Sequence, residues 1–468
     1  MKPRSVTRPQ RRQRSLLMCG LLLALAGANL HAGSFKPADS LTNADATGLV
    51  RTFTPSGSVD TGNPFFQSLG SNGRSCSSCH RAENAWSISP GDLQIRFLRS
   101  GGTDPVFRSV DGANAPNADV KTITAKRAAY SMLLNKGLIR VGIAIPATAE
   151  FTLDSVDDPY HYASAADVSM FRRPLPSANL RFITAAMWDG RETHKAFLPP
   201  MDAAINGDDL VQSFSTQAAD AVLTHAQGAA APTPEQVKQI VDFEMSLTTA
   251  QVFDRFAGWL NTDDALGGPR ALANLQFYVG MNDVLGADPG GGAFDAGATR
   301  LFAAWENDKN AQRAAIARGE KLFGSKPIAI TGVGGLNDAL GLPTIAGTCT
   351  TCHDTPNVGN HSVALPIDIG LTDASRRTRD MPLYTLRNKT TNETRQTTDP
   401  GRAMITGKWA DIGKFKGPIL RSLVARPPYF HNGSAATLGD AVDFYNTRFN
   451  IGLSAQEKSD LVAFLSAL

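Results

Sequence analysis

The chain has 468 residues, of which 42% are hydrophobic and 19% charged. That is enough for two or three domains with an ordinary globular core. Its 46 basic residues outnumber 43 acidic ones, but six of the basic ones (Lys2, Arg4, Arg8, Arg11, Arg12 and Arg14) lie within the first 32 positions. The rest carries 40 against 43, a net charge of −3, which excludes nucleic acid as a partner.

Residues 1–32 have the form of a secretory signal peptide: a basic head, the apolar run Leu16–Ala28, then small residues with cut sites after Ala28 or Ala32. The run is too short for a membrane span and no other reaches about twenty residues, so the expected product is periplasmic and not membrane-spanning. Residues 33–70 are polar and read as a loose lead-in. Cys76-Ser77-Ser78-Cys79-His80 follows, then a short helix over Asp92–Arg99, a loop over 100–120 and a helix over Lys126–Asn135. An irregular insertion spans roughly 140–180. After Met187-Trp188-Asp189-Gly190-Arg191 comes a helical region to about 225. Thr233-Pro234-Glu235-Gln236 then opens a helix with a capping box. The segment 256–310 is a connector, partly helical at Ala298–Trp305. A helix over Ala315–Phe323 precedes Cys349-Thr350-Thr351-Cys352-His353, and Ser454-Ala455-Gln456-Glu457 opens the last helix.

Cys19 leaves with the leader, and the other four cysteines all sit in the two C-x-x-C-H motifs, leaving none for a disulfide. A lone C-x-x-C suits a redox dithiol or half a zinc site. Here each pair ends in His, and no second C-x-x-C lies near to complete a zinc set. In C-x-x-C-H the thiols add to the haem vinyl groups and the histidine ligates the iron. Two covalently bound haem c groups are therefore expected, on Cys76, Cys79 and His80 and on Cys349, Cys352 and His353. Downstream of each motif stand two similar helices, TPEQVKQIVDFEMSL and SAQEKSDLVAFLSAL. Short helix, motif and closing helix make a cytochrome c unit. The expected fold is mainly α: two cytochrome c-like haem domains, 33–255 and 311–468, with loop-rich insertions.

The ordered set of both motifs, Trp188-Asp189-Gly190-Arg191, Thr398-Asp399-Pro400-Gly401-Arg402, Lys414–Arg421 (KFKGPILR) and Pro428–Ser434 (PYFHNGS) resembles the bacterial dihaem cytochrome c peroxidase family, which includes MauG. The resemblance implies a peroxidatic haem on His80 and an electron-accepting haem on His353. Hydrogen peroxide would be the substrate and a small c-type cytochrome or cupredoxin the donor. It also implies a calcium ion between the domains, at Thr398 and Pro400, with Asn114 as the first domain's contribution. A MauG-like oxidase of a protein substrate and a non-catalytic dihaem electron carrier are the alternative functions, and a homodimer stays open.

The chain departs from the family pattern at two places. The position of the second haem's sixth ligand falls on Lys414, and lysine ligates only when deprotonated, against an ordinary pKa near 10.4. His361, Met381 and Met404 are alternatives, each with a core or surface role as its plainer reading. The family's distal glutamate falls on Ala196, or on Ser215 if an insertion is allowed. Glu192 is then the nearest carboxylate and, with Arg191 and Trp188, forms the candidate catalytic set. His161, His194 and His225 are either removable distal ligands or structural histidines. His431 is expected beside the second haem without ligating it. Trp86 and Trp409 are relay candidates between the haems, while Arg191, Arg402 and Arg421 suit propionates.

Overall fold

The computed structural model describes residues 40–193, 207–286, 288–359, 362 and 365–468. The fold corrects the expectation of a mainly α protein, because the chain is only 32% helical. Among the described residues, eleven strands form four antiparallel sheets.

The lead-in is not loose throughout. Ser40–Ala44 and Gly48–Phe53 form a hairpin whose turn is held by Asp45, its carboxylate accepting from the N–H groups of Thr47 and Gly48. Thr248–Asp254 leaves the closing helix Pro234–Ser246 and pairs with the second hairpin strand. Gly48 is required there, since a Cβ would stand 2.0 Å from the Phe253 carbonyl oxygen.

The insertion is also β-structured. Ile139–Ile143 pairs with Val168–Arg172. Phe151–Asp157 crosses to the second half of the chain and pairs with Leu383–Asn388, which pairs in turn with Thr394–Thr397. The reason is visible in the residues: β-branched and aromatic side chains alternate with polar ones (FTLDSVD, LYTLRN). Their partners lie more than 200 residues away, beyond the reach of local periodicity.

Helices follow the expected positions with shifted ends: Pro90–Ser100, Pro234–Ser246, Ala311–Ser325 and Ala455–Ser466. The stretch read as one helix over 126–135 is two, Ile123–Ala129 and Ser131–Lys136. Gly207–Thr224 supplies the helix before 225. In the connector, Ala303–Trp305 is a single 3-10 turn. The Glu320 carboxylate accepts from the Leu301 and Phe302 N–H groups and pins it to the helix Ala311–Ser325.

Two cores position the attachment motifs. Around the first, Phe65, Trp86, Phe214, Ile240, Val241 and Leu247 pack together. Around the second, Ile316, Phe323, Leu461 and Phe464 pack with Phe302 and Trp305. Among the described residues no helix is long and apolar enough to cross a membrane.

Candidate haem-binding sites

Both motifs fold alike. Cys76–Ser78 and Cys349–Thr351 are 3-10 turns, closed by His80 N–H donating to Cys76 O (2.9 Å) and His353 N–H to Cys349 O (3.1 Å). Each turn brings its two thiols and its imidazole to one cavity, of about 1540 Å³ for the first motif and 1790 Å³ for the second, both open to solvent. His80 Nδ1 lies 3.0 Å from Trp86 O, and His353 Nδ1 lies 2.9 Å from Gly359 O. A ring nitrogen that donates to a carbonyl fixes the tautomer and leaves Nε2 as a lone pair for a metal. Burial lowers the His80 pKa to about 4 and lowers that of His353, so both rings are neutral.

The thiols do not suit a redox pair. Burial pushes Cys349 and Cys352 up to about 12 and raises Cys76 and Cys79, the reverse of a reactive dithiol. Among the described residues no group of three or more His, Cys, Asp or Glu could hold a metal ion.

The two cavities share one wall, formed by Arg173-Pro174-Leu175-Pro176, Trp188, Lys416 and Pro418. Trp188 Nε1–H donates to Arg173 O (2.7 Å), and Lys416 N–H donates to Trp188 O (2.9 Å). Lys416 Nζ lies 5.9 Å from the Trp188 ring centre. Burial lowers Lys416 to about 8, Arg173 to about 9 and Arg426, on the second cavity, to about 10. Among the described residues no carboxylate pairs with these three cations. The Arg173 and Arg426 guanidiniums donate to backbone carbonyls, and the positive charge of this wall suits the propionates of a haem. Shape, thiols, tautomers and charge thus all fit haem at both cavities.

Arg191 and Trp188 line the first cavity, but Glu192 lines neither. Glu192 is half-buried, its pKa raised by burial and by Asp220 beside it. Two carboxyls line the first cavity: Asp111, which is paired with Arg74, and Glu244, on the closing helix. Glu244 is 5% exposed, and burial pushes it up to about 7 against a hydrogen bond from Ser177. The paired repeats held the signal for it, since Glu244 aligns with apolar Leu465. His225 also lines this cavity, its Nδ1 2.5 Å from Asp111, which is itself paired with Arg74. His161 sits on an exposed turn with φ 54° and lines neither cavity. His194 and Ala196 lie outside the described residues, and Ser215 is half-buried on the helix Gly207–Thr224.

On the second cavity, His431 is buried and stacked on Phe415 (ring centres 4.0 Å apart). Lys414 is not on the wall; its ammonium pairs with Asp411 at 3.3 Å. Met381 and Met404 are core residues in separate clusters, and His361 lies outside the described residues. A residue not foreseen is Tyr445, half-buried on the cavity wall from the helix Leu438–Arg448. Burial and the two nearby cysteines raise its phenol pKa. Trp86 is core, donating to Thr52 Oγ1, and Trp409 packs by Phe151. Neither lies on the shared wall, where Trp188 stands instead. Arg421 lies in the core behind the second cavity, donating to Asn357 O, and Arg402 donates to Asp189 O.

The residues named for calcium each have hydrogen-bond partners within the fold. Asn114 spends its amide locally, on Ala128 O, Ser131 Oγ and Met132 N–H. The Pro400 carbonyl accepts from Gly413 N–H, and the Thr398 hydroxyl donates to Thr372 O. Beside them, the carboxylates of Asp189 and Asp399 close on the Arg172 guanidinium.

Paired turns, each presenting two thiols and a neutral imidazole to an apolar cavity, define a c-type haem protein. No protein-family model matches the chain. It is 35% identical over 132 residues to the cytochrome-c peroxidase IdrP2 of Denitromonas iodatirespirans, covering 26% of this chain and 36% of that one. It is 30% identical over 181 residues to IdrP1 of Pseudomonas sp. (strain SCT), covering 34% and 41%. A solved MauG-like protein associated with microbial copper homeostasis has 16% identity, a TM-score of 0.35 and coverage of 86% and 87%. Over these stretches the chain is similar to bacterial cytochrome-c peroxidases. Its matches span less than half the length of these curated relatives.

Proposed function

We propose that the protein is a periplasmic dihaem peroxidase that reduces hydrogen peroxide to water with electrons from a small c-type cytochrome or cupredoxin. The observation that carries this reading is the shared wall: two cavities, each with its own C-x-x-C-H, meet across Trp188. Haem in the first cavity supplies the iron at which the O–O bond is reduced, and haem in the second supplies a nearby electron. The chain's own residues do the rest. Nε2 of His80 and of His353 each face a cavity, oriented by backbone carbonyls. Arg191 brings a cation to the first cavity, and Glu244 holds a proton near neutral pH where a leaving oxygen needs one. Trp188 fills the gap between the two centres with an aromatic ring.

The test is rapid mixing of holoprotein with hydrogen peroxide, with and without a reduced cytochrome. Donor oxidation over many turnovers, abolished by His80→Ala with the fold retained, is the expected result. No spectral change on mixing would leave an electron carrier. One observation favours a second reading, a MauG-like oxidase of a protein substrate. Tyr445 offers the second cavity a phenolic oxygen, and an anionic oxygen ligand stabilises oxidised iron. A long-lived oxidised spectrum without donor turnover, lost in Tyr445→Phe, would select that reading.

A further inference from the structure

The two halves of the chain meet at a charge cluster beside the first cavity. Arg172 ends the insertion strand Val168–Arg172, and its side chain is 2% exposed. Its guanidinium grips Asp399 with both arms, Nε to Oδ2 at 2.7 Å and Nη2 to Oδ1 at 2.8 Å. Its remaining arm, Nη1, reaches Asp189 Oδ2 at 2.5 Å. Asp189 also takes Arg191 Nη1, at 3.1 Å from both carboxylate oxygens.

We propose that Arg172 is the resident interdomain cation of this protein, standing where the family resemblance implies calcium, and that the chain needs no calcium. Asp189 comes from the W-D-G-R loop of the first half, and Asp399 from the T-D-P-G-R loop of the second. A single planar guanidinium therefore ties both loops to the insertion strand. Bidentate pairing to one carboxylate with a third bond to another is geometry that suits arginine and not a point charge. Two carboxylates and two guanidiniums balance to zero, so a dication here would add uncompensated charge beside the buried Arg172. Asp189 is held below the usual carboxylate range, because Arg172 and Arg191 outweigh the burial that opposes its charge.

This inference does not rest on the peroxidase reading. Holoprotein purified with calcium present and exchanged into metal-free buffer is assayed for bound calcium and melted with and without EGTA. Substoichiometric calcium and an unchanged Tm are expected; one calcium per chain, or a Tm lowered by EGTA, overturns the proposal. Arg172→Met leaves two buried carboxylates short of a partner and should lower Tm by roughly 10 °C. A wild-type Tm in that variant also overturns it. Should the variant fail to fold, Arg172→Lys keeps the charge and loses the fork. A partial drop is then expected, and an unchanged Tm counts against the proposal.

Discussion

The same five-residue motif is framed differently in the two halves. The second is braced by crossed helices: Ala311–Ser325 lies against Ala455–Ser466, so close that a Cβ on Gly319 would stand 2.0 Å from the Asp460 carbonyl oxygen. The first is preceded by only a 3-10 turn, Pro64–Phe66, whose rings pack on Phe243 of the closing helix at 4.9 and 5.3 Å. The cavities differ as well. Arg74, Asp111, Arg191, His225 and Glu244 reach the first, whereas Ile328, Ile330, Ile367, Ile369 and Leu465 line the second. At matched positions of the repeat, one half has Glu244 and the other Leu465. The first pocket carries carboxyl and imidazole groups able to exchange protons with a cofactor, while the matching stretch of the second is aliphatic. This difference divides the labour expected of a two-centre peroxidase.

The comparison can be broken most forcefully at the helix crossing. Gly319→Ala drives a methyl into Asp460 and Phe464 and should cost about 3 kcal/mol, the upper range for overpacking. Thermal melting followed through the second haem checks this, and an unchanged Tm would show that the crossing is not tight. Next is Glu244. Its folded pKa of about 7 lies above the ordinary carboxylate value, so it destabilises the fold as pH rises through that range. Glu244→Gln should therefore melt above wild type near pH 8, by roughly 3 kcal/mol in stability, and like wild type near pH 4. Leu465→Gln, its counterpart in the apolar pocket, should lower stability at both pH values.

Trp188→Phe tests the wall the pockets share. Both haem spectra should persist while peroxide turnover falls about 10–100-fold, the usual effect of a residue that supports a metal centre from outside its ligands. The smallest effects are expected at the helix caps. Thr233→Ala and Ser454→Ala each remove a capping box and should cost about 1 kcal/mol by denaturant melting. Equal losses would mean the two closing helices bear equally on stability despite their different settings.

The attachment sites and closing helices were legible in the sequence because their chemistry is local. C-x-x-C-H and the capping boxes at Thr233 and Ser454 are complete within five residues. What could not be read depends on distance in sequence. Phe151–Asp157 looked irregular because its partner strand begins at Leu383. Nearness to Trp188 along the chain points to Glu192, yet it turns to Asp220, while a helix about 50 residues on brings Glu244 to the cavity. Tyr445 escaped notice because helical rotation, not spacing from a motif, aims it at the second site.

The pairing of Phe151–Asp157 with Leu383–Asn388 has a consequence for how this chain is assembled. A cut anywhere in the connector 256–310 severs the backbone but leaves the sheet between the halves intact. A nicked chain should therefore stay together on a sizing column. The second half made alone would instead present Leu383–Asn388 as a bare edge, inviting pairing with its own kind. Co-expressing the fragments 1–255 and 256–468 should keep both soluble, each serving the other as chaperone.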